Sequence, residues 1–328
     1  MKPAASSSST ASRDSPGTEE FELSADSRVH ITLGDARSRF GWLARAQDYV
    51  ALTRPRVLTL VLFTAPPAMV MGHDSWPSAA VILGVIFGAA LIGAGCGALN
   101  ASWERDRDRR MARTENRPLP AGRLTLREAV IFGFAISALG VAVLFAAGGW
   151  LPAAIGVLTL VHYLLIYTIW LKPRTPQNIV IGGAAGAASP LIADAAIDGR
   201  LGLWGFVLFL IVFVWTPPHF WAIALYRKRE YAAAGFPMLP NVLGDRATRK
   251  HMLAYAIGLI PVALIPWFGG ELSFVYAWTA GIAGAGFIAS IARSMRAESP
   301  KWDRRVFRVS IFFLFAIFAE MLVELALR

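Results

Sequence analysis

The chain has 328 residues, 55% of them hydrophobic and 16% charged, with a mean hydropathy of +0.50; these are too few polar groups for a soluble surface, so lipid is the expected solvent for most of it. Its single cysteine, Cys96, excludes an internal disulfide, and the lack of CxxC or Cys/His clusters excludes a structural zinc site or covalent haem attachment. The net charge of +10 would suit nucleic acid only if it formed a soluble patch, but the basic residues lie between long apolar runs, which argues against that partner.

Residues 1–40 are rich in Ser, with Pro, Thr and charges of both signs, and have no apolar stretch able to offset the entropy of ordering, so a disordered cytoplasmic tail is expected. Asp14, Glu19, Glu20 and Glu22 contradict the acid-poor composition of a mitochondrial transit peptide. The remainder, 41–328, is expected to form one intramembrane domain. From Phe40 to Leu52 apolar residues recur at helical spacing, as in a helix lying in the membrane interface.

Nine apolar segments follow, at about 55–72, 78–99, 129–148, 150–171, 178–196, 202–223, 252–269, 274–292 and 306–327. All but Arg200 and Arg328 of the 32 Lys and Arg residues fall on one side of this alternation. By the positive-inside rule the expected fold is all-α, with nine transmembrane helices around a central cavity, the N-terminus cytoplasmic and the C-terminus external, in a bacterial inner membrane.

The loop after the second segment packs carboxylates and guanidiniums together at a membrane boundary. If the helix continues into it, Asn100, Glu104 and Asp108 fall at i, i+4 and i+8 on one face, a hard-oxygen set suited to Mg2+. Arg113, Arg117 and Arg123 follow, with guanidinium forks that match phosphate geometry. Spacing alone leaves a solvated loop, with acids that merely offset its basic residues, equally open.

Further along, Lys172 precedes the fifth segment, where Gly182, Gly183 and Gly186 make a run of small residues that either packs tightly or leaves room for a bulky ligand. The sixth segment carries Trp215-Thr-Pro217-Pro218-His219-Phe-Trp221 near its basic end. Intramembrane ionisable groups usually face the bundle interior, and His219 suits haem ligation, acid–base work or a hydrogen bond to a carbonyl freed by the prolines. The loop beyond it, with Arg227, Lys228, Arg229 and Glu230, emerges on the same face as the first loop.

These residues carry a resemblance. From about Tyr49 to the end, the chain resembles the membrane prenyltransferases typified by 4-hydroxybenzoate polyprenyltransferase. Their Asn-x3-Asp-x3-Asp signature is matched by Asn100, Glu104 and Asp108, with Glu104 in place of the commoner Asp. The Leu171-Lys172-Pro-Arg174-Thr175-Pro176-Gln177-Asn178 and Thr-Pro-Pro-His219-Phe-Trp stretches, with Asp106, place the resemblance in the branch of protohaem IX farnesyltransferases (haem O synthases).

The resemblance implies farnesyl diphosphate and haem B as substrates, haem O as product, and Mg2+ held by Asn100, Glu104, Asp106, Asp108 and Glu230. It further implies that Arg113, Arg117, Arg123, Lys172 and Arg227 contact the diphosphate, that Arg117 and the Asn100/Glu104/Asp108 set are catalytic, and that His219 positions the haem. A haem A synthase or terminal-oxidase assembly factors would be the downstream partners. The competing readings are prenylation of a quinone precursor or chlorophyll-type ring, and a non-enzymatic transporter or assembly protein.

Overall fold

The computed structural model describes residues 41–73 and 75–328, without the side chains at 56 and 57; the expected tail over 1–40 lies outside them. The regular secondary structure of the described residues is entirely helical, with no strand among them. Helix α1 (Gly41–Thr53) leaves Trp42, Leu43 and Val50 exposed, as an interfacial helix should. It is fastened by an Arg45–Glu128 ion pair and by Arg123 Nε donating to Asp48 Oδ1 at 2.9 Å.

The expected first span is broken into α2 (Pro55–Phe63) and α3 (Ala65–Ala68). The Thr64 hydroxyl donates to Val61 O at 2.6 Å, and Pro66 and Pro67 have no N–H to carry the helical ladder through. The result is a short apolar stretch, Leu58–Ala68. Among the described residues eight helices are long and apolar enough to cross a membrane: α4 (Ala79–Asp108), α5 (Leu126–Gly148), α6 (Trp150–Leu171), α7 (Asn178–Asp198), α8 (Leu203–Tyr226), and, after the short α9 (Lys228–Ala233) and α10 (Leu239–Val242), α11 (Asp245–Phe268), α12 (Phe274–Ala297) and α13 (Pro300–Ala326). This is an integral, multi-pass membrane protein.

Six of these helices run three to nine residues beyond their apolar segments, always at the Lys/Arg-rich end. Arg, Glu and Lys are good helix formers, so the helix outlasts the lipid that the apolar count measures. In α4 that extension carries Asn100, Glu104 and Asp108.

Helices α4 and α5 share the most extensive contact in the bundle. Glycine makes it, because a Cβ at Gly95 would lie 1.9 Å from Ser137 Oγ. Elsewhere α11, α12 and α13 are joined by a buried cluster in which Arg249 Nη2 donates to Asp303 Oδ2 at 2.9 Å and Ser294 Oγ donates to Asp303 Oδ1 at 2.6 Å.

Candidate functional site

The last two turns of α4 aim Asn100, Glu104 and Asp108 into the bundle, where they are 0%, 3% and 1% exposed. Burying carboxylates is costly unless each has a partner. Here Lys172 Nζ lies 2.5 Å from Glu104 Oε1, and Arg117 Nη1 donates to Asp108 Oδ2 at 2.8 Å. Asn100 donates from Nδ2 to Thr168 Oγ1 at 3.1 Å, while its Oδ1 is buried with no hydrogen-bond partner. Thr168 is presented by a π-helical stretch, His162–Leu171, in which its hydroxyl in turn donates to Tyr163 O five residues back. Such widened turns recur at functional sites.

Arg54, which the sequence reading passes over, completes the set. A Cβ at Gly97 would lie 3.0 Å from Leu52 O, so this glycine lets the end of α1 settle directly on α4. The chain then turns through Arg54 in the left-handed region (φ 53°) before Pro55, a conformation uncommon for a side chain of this size. Arg54 Nη2 is buried and has no hydrogen-bond partner. Burial works against its charge, but Tyr163, Glu104 and Asp108 more than offset this and raise its pKa above the ordinary guanidinium value. The sequence signal was an Arg-Pro-Arg step at the head of an apolar run.

The second loop closes over the first. Arg113 Nε approaches Glu230 Oε2 at 3.6 Å, and Arg227 Nη1 donates to Glu230 Oε1 at 2.7 Å. The ring of buried Phe236 takes the Lys172 ammonium at 4.8 Å and the Arg107 guanidinium at 4.9 Å. Two expected members stand apart. Asp106 has 70% of its side chain exposed and pairs with Arg105 and Arg109, because two residues along a helix turn a side chain to the opposite face. Arg123 is held by Asp48 and by Asn116 O, away from the triad. Among the described residues no three His, Cys, Asp or Glu side chains cluster as a metal cage. The hard-donor set is Glu104 and Asp108 with the unspent Asn100 carbonyl, which fits Mg2+, since that ion usually takes one or two carboxylates and completes its shell with water and phosphate oxygens.

Below the triad, Gly93 and Ala89 share its helical face, seven and eleven positions before Asn100, and so about 10–16 Å deeper. They line a small space of about 50 Å³ with Leu58, Ala185, Ser189 and Ile192, and the Ser189 hydroxyl is buried without a hydrogen-bond partner. The small residues of α7 thus do two things. Gly182 and Gly183 pack against Tyr167 and Thr216, whereas Ala185 and Ala188 border open space.

His219 is 8% exposed, its ring between Trp215 (centroids 4.2 Å apart) and Phe307 (4.7 Å). Its Nδ1 lies 2.7 Å from Ser310 Oγ, whose own hydrogen is given to Phe307 O at 2.7 Å. Ser310 therefore accepts from His219, which assigns the proton to Nδ1 and leaves the Nε2 lone pair uncommitted in the neutral ring. His162, by contrast, is bonded to Ile181 O at 3.0 Å.

Residues 61–317 match the UbiA prenyltransferase family. The chain belongs to that family. It is 44% identical over 289 residues to the protoheme IX farnesyltransferase of Parvibaculum lavamentivorans, covering 87% of this chain and 90% of the relative. It is 45% identical over 290 residues to the protein of that name from Bradyrhizobium diazoefficiens, covering 87% and 92%. Solved membrane folds agree: a digeranylgeranylglyceryl phosphate synthase structure superposes with a TM-score of 0.71 at 16% identity, over 87% of this chain and all of that one. A UbiA homologue from Archaeoglobus fulgidus bound to DMAPP and Mg2+ gives 0.58 at 18%, over 84% and 99%.

Proposed function

We propose that the chain transfers the farnesyl group of farnesyl diphosphate to a vinyl group of haem B, with addition of water, giving haem O and diphosphate. The observation that carries the reading is the face of α4 on which Asn100, Glu104 and Asp108 are buried, the two acids against cations, beside the unspent Asn100 Oδ1 and Arg54 Nη2. Carboxylates and cations paired with one another are poised to exchange partners, the cations turning to a diphosphate and the carboxylates to its metal. The names of the relatives supply the acceptor and the prenyl donor.

Asn100, Glu104 and Asp108 would hold Mg2+, with Glu230 facing them from the second loop; when bound, the ion neutralises charge developing on the leaving diphosphate. Arg54, Arg117 and Lys172 take the phosphate oxygens, with Arg113 and Arg227 behind them, so that breakage of the C1–O bond is met by prearranged positive charge. Asp106 and Arg123 have no part in this arrangement. The farnesyl chain runs down the small-residue face of α4 toward the cavity at Ser189, where apolar walls keep water from the allylic cation. The terminal vinyl carbon attacks C1, and water captures the cation left on the adjacent carbon and loses a proton, giving the hydroxyethylfarnesyl group. His219 holds the acceptor through its iron.

The basic face is the cytoplasmic side of a bacterial inner membrane, the N-terminus lies on that side and the C-terminus outside, and Leu58–Ala68 belongs to the first of nine crossings. The clustering of Lys and Arg supports this orientation. Residues 1–40 are a disordered tail preceding the intramembrane domain, and a haem A synthase or an oxidase assembly factor receives the product.

The test incubates the detergent-purified chain with haem B, farnesyl diphosphate and Mg2+, with and without EDTA, and follows porphyrins by mass spectrometry. An EDTA-sensitive gain of a farnesyl group plus water is expected. Prenylation of a quinone precursor, with haem untouched, would overturn the acceptor and keep the fold.

A further inference from the structure

The wall that holds His219 continues toward the basic face without a break. The Phe307 ring that covers His219 lies 6.3 Å from the ring of Tyr226, and Tyr226 is capped by two guanidiniums, Arg227 and Arg304, each 5.4 Å from its centroid. The two cations differ in what they have left to give. Arg227 is neutralised by Glu230 at 2.7 Å, whereas Arg304 has no carboxylate within ion-pair distance among the described residues, and stacking on Tyr226 leaves the edge of its fork free.

The vertical spacing follows from helix geometry. Ser310, which orients His219, is six positions along α13 from Arg304, and His219 is seven positions along α8 from Tyr226, so α13 puts Arg304, and α8 the Tyr226 ring beside it, about 9–11 Å above the imidazole. An uncommitted imidazole nitrogen below, an aromatic wall between and an unpaired guanidinium at the membrane edge suit a flat metallo-tetrapyrrole with carboxylates on one rim. We propose that Arg304 receives the propionate carboxylates of the acceptor, so that the opposite, vinyl-bearing rim points into the membrane. The proposal rests on haem B as the acceptor and adds its orientation. Positive-inside anchoring alone would give Arg304 no preference among porphyrins.

The test titrates the full-length protein in detergent, by absorbance, with haem B and with its dimethyl ester, whose propionates are uncharged. Arg304→Gln is compared with wild type and with Arg305→Gln, a neighbour that stacks on Trp302 instead. Wild type and Arg305→Gln should bind haem B at least ~10-fold tighter than the diester, the size of a charge-assisted hydrogen bond. Arg304→Gln should lose that preference with the KM for farnesyl diphosphate unchanged. Equal affinity of the wild type for the two porphyrins, or a preference retained by Arg304→Gln, would overturn the proposal while haem O is still formed. Failure of the wild type to bind either would overturn the acceptor assignment and this orientation together.

Discussion

Two arginines near the basic face, Arg249 and Arg54, are withdrawn from water in opposite ways. Arg249 is 3% exposed and paired within the fold, its Nη2 and Nε donating to the two oxygens of Asp303 and its Nε also to Ser294. Arg54 keeps a buried nitrogen without a partner and sits on a left-handed turn. The same contrast separates the two ends of the bundle. Away from the basic face, buried Asp194 accepts from Gly202 N at 2.6 Å, and Glu324 accepts from Ser273 N at 2.7 Å and Tyr276 N at 3.0 Å, so their acceptors serve helix starts. At the triad Asn100 Oδ1 and Arg54 Nη2 have no such use. Buried polar groups that are satisfied hold a fold together, and those that are not mark where a ligand completes the set.

Each half of this contrast can be broken separately. The largest effect on turnover is expected from Glu104→Gln, which keeps the shape and removes a charged metal oxygen; turnover per folded molecule should fall by about 10²–10³-fold, together with a loss of stability because buried Lys172 is left without its carboxylate. Asp303→Asn should affect stability alone, destabilising the protein by about 3–5 kcal/mol by leaving Arg249 uncompensated, with turnover per folded molecule preserved. Thermal unfolding and single-turnover kinetics on both variants give the comparison. Arg54→Gln should raise the KM for farnesyl diphosphate by about 10-fold or more, the loss of a charge-assisted contact, with a smaller loss of stability than Asp303→Asn, since the buried Nη2 abandons no internal hydrogen bond. A loss of stability as large as that of Asp303→Asn would make Arg54 a second Arg249. The smallest effect is expected at the cavity. Ile192→Ala should increase the use of geranylgeranyl diphosphate relative to farnesyl diphosphate a few-fold, read as product chain length by mass spectrometry, and an unchanged ratio would remove the prenyl chain from that space.

What was legible in the sequence was whatever a helical repeat encodes. Asn100, Glu104 and Asp108 share a face because i, i+4 and i+8 do so in any α-helix, and the apolar periodicity found the long helices. The same rule applied strictly would have turned Asp106 away, about 200° around the helix from Glu104. Contacts between distant segments were not legible. Nothing in the loop sequence tells that Arg123 is claimed by Asp48 of α1, 75 residues earlier, or that Gly97 seats the end of α1 so that Arg54 reaches the triad. The apolar count also placed helix ends at the edge of the lipid, whereas α4 continues through Asp108. The first span was read as continuous because hydropathy does not register the missing N–H groups of Pro66 and Pro67.

The central claim is that the polar groups of the α4 face exchange their internal partners for a metal-bound diphosphate. The most direct measurement is calorimetric titration of the detergent-purified protein with a non-reactive farnesyl thiodiphosphate, with and without Mg2+, in wild type and Glu104→Gln. Binding that depends on Mg2+ in the wild type and loses that dependence in Glu104→Gln is the predicted result. Equal affinity with and without Mg2+ in the wild type would contradict it.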